Sequence, residues 1–180
     1  MSARELAHKL DHEERARDAV DAYEALIVSG EARLEDYLDL AVLYLQCGDG
    51  GFVAQHHLTQ EFVDRAWERV AQVLDEAESR FGDHNEVAFW RLYKQDVVGD
   101  EVQIDDVITL AQRGPSLVPY FFLFASDGGE RYVDEARQLM DICHGRTTRE
   151  RLIRSFLTSH VQDAKWRSSG QPVDPQWDFD

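Results

Sequence analysis

Two histidines one helical turn apart, His8-x-x-x-His12, come closest among the residues of this chain to the spacing that metal chemistry needs. On a helix their imidazoles share a face, with Asp11 and Glu14 close by in sequence. A structural zinc site takes four ligands, however, no second His or Cys cluster follows, and the intervening residues are not those of a metalloprotease helix. The pair is expected to titrate at the surface, as is His56-His57 in a polar connection, and neither a metal nor a cofactor is expected. The glycine runs Gly48-Asp49-Gly50-Gly51 and Gly128-Gly129 lack a following Lys-Ser or Lys-Thr and a preceding strand, so they read as turns and not as phosphate loops. Carboxylates are too abundant for any two to stand out as acid and base, and no Ser or Cys stands beside a His in a nucleophile setting. Cys47 and Cys143 are spaced for neither a metal knuckle nor a disulfide framework and read as small apolar packers. No enzymatic activity is expected.

Charge says more than any motif. The chain carries 35 Asp plus Glu against 19 Lys plus Arg, a net −16. Residues 1–145 hold 30 acidic and 13 basic groups, whereas residues 146–167 hold two acidic and six basic ones: Arg146, Arg149, Arg151, Arg154, Lys165 and Arg167. Such a field repels nucleic acid and anionic membranes and attracts cations. The arginines of the basic stretch are expected to pair internally with carboxylates. The longest uncharged apolar stretch, Leu117 to Ser126, is too short to cross a membrane, and no signal-peptide block follows the charged start, so a cytoplasmic protein is expected.

The elements that must position these residues are helices. Ser2-x-x-Glu5 has the form of a capping box, and Leu6, Leu10, Ala16, Val20, Tyr23 and Ile27 continue a stripe to Gly30, with a gap at Glu13-Glu14 that predicts a kink or a frayed first half. Further helices are predicted from Ala32 to Gln46, from Thr59 or Gln60 to Phe81, from an Asn85 cap toward Gly99, and from Ile104 or Asp105 through Ala111 to a stop at Gly114-Pro115. The aromatic run from Val118 to Phe124 has no strand to pair with and reads as a buried helix with Pro119 in its first turn. Helices from Tyr132 to Cys143 and from a Thr147 or Thr148 cap onward complete about eight, in one helical domain over 1–166. Residues 167–180 form a polar, breaker-rich tail, expected to be flexible, that still carries Trp177 and Phe179.

Tyr37-x-x-Leu40-Ala41-x-x-Tyr44, followed by Ala66-x-x-x-Val70, resembles a tetratricopeptide repeat with tyrosine for the usual tryptophan and alanine for the usual glycine. Echoes occur at Phe89-x-x-Leu92 and at Tyr120-x-x-Leu123, the latter followed by Ala136-x-x-x-Met140. The starts lie 52 and 31 residues apart, against a family period of about 34, and an insertion between Gly51 and Gln60 accounts for the first interval. The resemblance implies an all-α stack of antiparallel helical hairpins whose inner surface binds a peptide or protein, without chemistry.

Resemblance and charge together predict a non-catalytic interaction module with a basic protein or peptide partner, and with neither nucleic acid nor membrane. Trp90 in a groove, or Trp177 and Phe179 on the tail, are the candidate aromatic anchors. Two alternatives remain open. One is an immunity, antitoxin or DNA-mimic protein masking the cationic site of a nuclease-type toxin. The other is a helical-bundle metalloenzyme in which His8 and His12 meet carboxylates of another helix.

Overall fold

The expected long first helix is two. In the structure, a computed structural model that describes residues 1–161, α1 (Ala3–His12) begins in the Ser2/Glu5 capping box and stops before the acidic pair. Glu14 takes a left-handed φ of 56°, Arg15 N donates to Leu10 O and Glu14 N to Asp11 O, the bond pattern of a Schellman cap, here with a non-glycine residue at its left-handed position. The chain then folds back as α2 (Ala16–Val28), bringing Tyr23 over His8 and Asp11.

The next pair is α3 (Leu34–Gln46) and α5 (Gln60–Phe81), the most extensively packed in the molecule after allowance for the short α4 (Gly50–Gln55) between them. Tyr37 meets Phe81 at one end and Gly48 meets Trp67 at the other, so the two run antiparallel. A Cβ at Gly48 would collide with the Trp67 ring, which is why glycine stands there. The short α4 occupies most of the connection that the sequence marked only as polar and as an insertion. Asp49 accepts from Phe52 N at 2.8 Å to start it, and Phe52 packs at a tilt against His56 with ring centroids 4.2 Å apart.

Four helices follow: α6 (Asn85–Val97), α7 (Ile104–Arg113), α8 (Pro119–Ser126) and α9 (Val133–Ile142). Each packs on its predecessor. Asn85, expected as a cap, is spent elsewhere. The cap is His84, whose Nδ1 accepts from Glu86 N, while Asn85 Nδ2 donates to the carbonyls of Leu110 and Ser116 and its Oδ1 accepts from Ser116 N. The aromatic run forms the predicted buried helix with Pro119 at its start. Phe121 packs there against Phe89, Trp90, Tyr93 and Phe156.

The final helix, α10 (Thr148–Val161), does not stack on the far end of a row. It returns to α3 and α8 and reaches α1 and α6 through polar side chains. Among the described residues the chain is all-helical, with ten helices in one compact arrangement and no strand. No described helix is long and apolar enough to cross a membrane. The tail 167–180, with Trp177 and Phe179, lies outside the described residues.

Candidate functional site

Among the described residues, four carboxylates lie inside the molecule: Asp11, Asp36, Asp39 and Glu86. A buried carboxylate is tolerated only when donors replace its water, and here Thr147 and the first residues of α10 supply about half of them, to Asp11, Asp39 and Glu86. Asp11 accepts from Thr148 N at 2.8 Å, Thr148 Oγ1 at 2.6 Å and Arg151 Nη2 at 3.0 Å, with the Tyr23 hydroxyl at 3.4 Å. Asp39 accepts from Thr147 Oγ1 at 3.0 Å and Arg149 Nε at 2.8 Å. Glu86 accepts from Arg149 Nη1 at 2.6 Å, Trp90 Nε1 at 3.1 Å and Ser116 Oγ at 2.7 Å. The Arg149 guanidinium thus bridges α3 to α6, and two carboxylates hold it firmly protonated against the opposing effect of burial. Burial pushes the Asp39 carboxyl above its ordinary range despite the pull of that guanidinium.

Asp36, at the start of α3, caps that helix by accepting from Arg33 N at 2.7 Å, and also takes Arg4 and His8. Burial pushes its pKa up, but the bonds from His8, the Arg33 backbone and Arg4 outweigh this and hold it below the usual carboxylate value. His8 is correspondingly raised, chiefly by its bond to Asp36. His8 therefore belongs to an ion cluster with carboxylates of another helix, at 3.2 Å from Asp36 and 3.9 Å from Asp39. No group of three His, Cys, Asp or Glu with metal-holding geometry occurs among the described residues.

The chemistry this network can do is limited by how completely it is bonded. The Ser116 hydroxyl donates to Glu86 while its oxygen accepts from Val118 N, and Glu86 is already bonded to Arg149 and Trp90. Burial pushes the thiols of Cys47 and Cys143 up to about 12, so both stay protonated and unreactive near neutrality. The network joins α10 to three earlier helices.

The network borders a groove of ≈ 270 Å³ at Glu86, Ser116 and Arg149, and larger open surface lies away from it. One groove of ≈ 350 Å³ runs between α2, α3 and α5, with Asp21, Glu24, Tyr44, Phe62, Arg65 and Glu68 on its walls. At its edge Arg69 is held between Glu24, at 2.8 Å, and Glu76, at 2.6 Å. A second groove of ≈ 460 Å³ lies between α5 and α6.

Of the anchors expected from sequence, Trp90 is corrected. It is 0% exposed, edge-to-face with Phe89 and Tyr93 and tilted against Phe121, and its indole donor is spent on Glu86, so it offers no surface to a partner. An isolated tryptophan on an amphipathic stripe looks the same in sequence whether the stripe faces a groove or the core. Trp177 and Phe179 fall outside the described residues. Arg149 and Arg151 pair internally with carboxylates as expected, while Arg154 donates to the backbone carbonyls of Met140 and Cys143. The buried acids were not foreseen. For Asp36 and Asp39 the signal was α3 itself, whose residues from Asp36 to Leu45 leave no solvent face; Asp11 and Glu86 had none. No family model matches the chain, and no curated protein or solved structure does so either.

Proposed function

We propose that this protein is a non-catalytic interaction module that takes a basic protein or peptide on an acidic surface. In this reading its scaffold is a stack of antiparallel helical hairpins of tetratricopeptide type, closed by α10. Support for the hairpin reading comes from the packed pair α3 and α5, in which Ala41, Ala66 and Val70 are wholly buried as the small and apolar positions of the resemblance require. The return of α10 to α1, α3 and α6 departs from an open solenoid, in which each repeat touches only its neighbours.

The observation that carries the functional reading is the fate of the cations. Three arginines of the basic stretch turn inward at the start of α10, with Arg149 and Arg151 neutralised by buried carboxylates and Arg154 on backbone carbonyls, while Arg146 is exposed. Without Lys165, Arg167 and the four acids beyond residue 161, the described residues hold 31 acidic and 17 basic groups. Setting aside the four buried acids and Arg149 leaves 27 against 16, a surface excess of eleven negative charges. A surface of that sign speeds encounter with cations and repels polyanions.

Affinity capture on the whole chain from its native host, read by mass spectrometry at low and at physiological salt, tests this. Cationic proteins that release as salt rises are expected. Capture of acidic proteins, or of nucleic acid, would overturn the reading.

A further inference from the structure

We propose that the groove between α5 and α6, with the α6–α7 turn beside it, docks a cationic amphipathic segment of the partner, an inference that rests on the interaction-module reading above. The groove wall is apolar at Ala71, Leu74 and Val98, and Asp75 and Asp100 line it as well. The two cations on the same wall are engaged: Arg91 lies 2.8 Å from Asp75 and 2.9 Å from Glu78, and Lys94 Nζ sits 6.0 Å from the Trp67 ring centroid.

Beside this groove the chain exposes apolar surface. Val97 is 40% exposed, Val98 56% and Ile104 38%, three large hydrophobics within eight positions, whereas Met1, Leu6, Val28, Phe81 and Ile142 are scattered along the chain. The valines are held out by a closed turn. Gly99, at φ +87°, donates from its N to Asp96 O at 3.0 Å, and Asp100 N donates to Gln95 O at 3.0 Å, so both bonds of a Schellman cap are made. A partner therefore meets a surface that costs little ordering.

Charge complementarity selects the occupant. Between Lys94 and Arg113 the chain has five carboxylates, Asp96, Asp100, Glu101, Asp105 and Asp106, and no Lys or Arg. Asp105 and Asp106 have an ordinary use in the first turn of α7, where the helix dipole favours anions. Asp96, Asp100 and Glu101 have no such use, and solubility alone would not place valines among them. Leucine-like side chains entering the groove, with lysines or arginines reaching the surrounding carboxylates, satisfy both features at once.

A synthetic lysine/leucine peptide with leucines at helical i, i+3 and i+4 spacing, its composition-matched scramble, and the full-length protein provide the test, by calorimetry at low salt and by amide NMR. The patterned peptide should shift the resonances of Ala71, Leu74, Val97 and Val98. Val98→Ser, and Asp100→Asn with Glu101→Gln, should each weaken its binding by about tenfold. Glu31→Gln with Glu130→Gln, which removes the same charge at remote exposed sites, should change it little. Equal loss in both double variants, or equal binding of the scramble, would overturn the docking site while leaving the acidic interaction surface standing. No binding of any cationic peptide by the unaltered protein would remove both.

Discussion

Arg149 is the residue on which the interior electrostatics turn. Its guanidinium is shared between Asp39 and Glu86 on two different helices, so removing it leaves two carboxylates buried without their counter-ion. Breaking such an arrangement from one side costs about 3–5 kcal/mol, and Arg149→Met should lose that much in urea unfolding. A loss under about 1 kcal/mol would mean that the acids neutralise at little cost. The His8–Asp36 pair gives a pH signature. His8 is raised in the fold, so its contribution is complete below its ordinary value near 6.5 and fades as pH climbs through the folded value. Asp36 is lowered, so its contribution is present above its ordinary value near 3.8 and is lost as pH falls through the folded value. The pair therefore stabilises most in the mildly acidic window between those values. Thermal unfolding of His8→Ala should show a larger deficit at pH 5.5 than at pH 8.5, and an equal deficit at both would sever His8 from the acids.

Helices were legible in the sequence because capping boxes, turn glycines and the 3.6 period are local, as Ser2/Glu5, Gly82 and the stripe of α5 show. The break between α1 and α2 was visible as two acids on an apolar stripe. The short α4 was hidden because Gly50 and Gly51 stand where a helix former would ordinarily be, while the Asp49 cap and the tilted Phe52–His56 contact are what hold it. The closure of α10 onto α1 was not legible, since periodicity carries no information about a pairing 137 residues apart. For the same reason nothing in the sequence marked Asp11, Asp39 and Glu86, among so many carboxylates, as the acceptors of that closure. Two measurements belong to this scale. Ala41 is wholly buried in α3, and Ala41→Phe should overpack it at about 1–3 kcal/mol; a fully tolerated substitution would undo the close packing assigned to that face. Glu14 occupies a left-handed position that favours glycine, so Glu14→Gly should leave stability unchanged or raise it by up to about 1 kcal/mol in the same unfolding assay. A clear loss would show that the Gln55–Glu14 bond outweighs the backbone strain.

At the scale of the whole molecule, interior and surface divide the charge between them. Carboxylates and arginines meet inside, where they join α10 to α1, α3 and α6, and the unpaired excess of carboxylates is left outside. A fold tied together through α10 keeps that excess on a fixed surface, which is what steering of a cation requires. The most direct test is the association rate between this chain and its captured partner as ionic strength rises from about 10 mM to about 150 mM, where the screening length falls from about 30 Å to about 8 Å. The association rate should fall by about tenfold or more while dissociation changes far less. An association rate independent of salt would contradict the claim that the acidic surface recruits a basic partner.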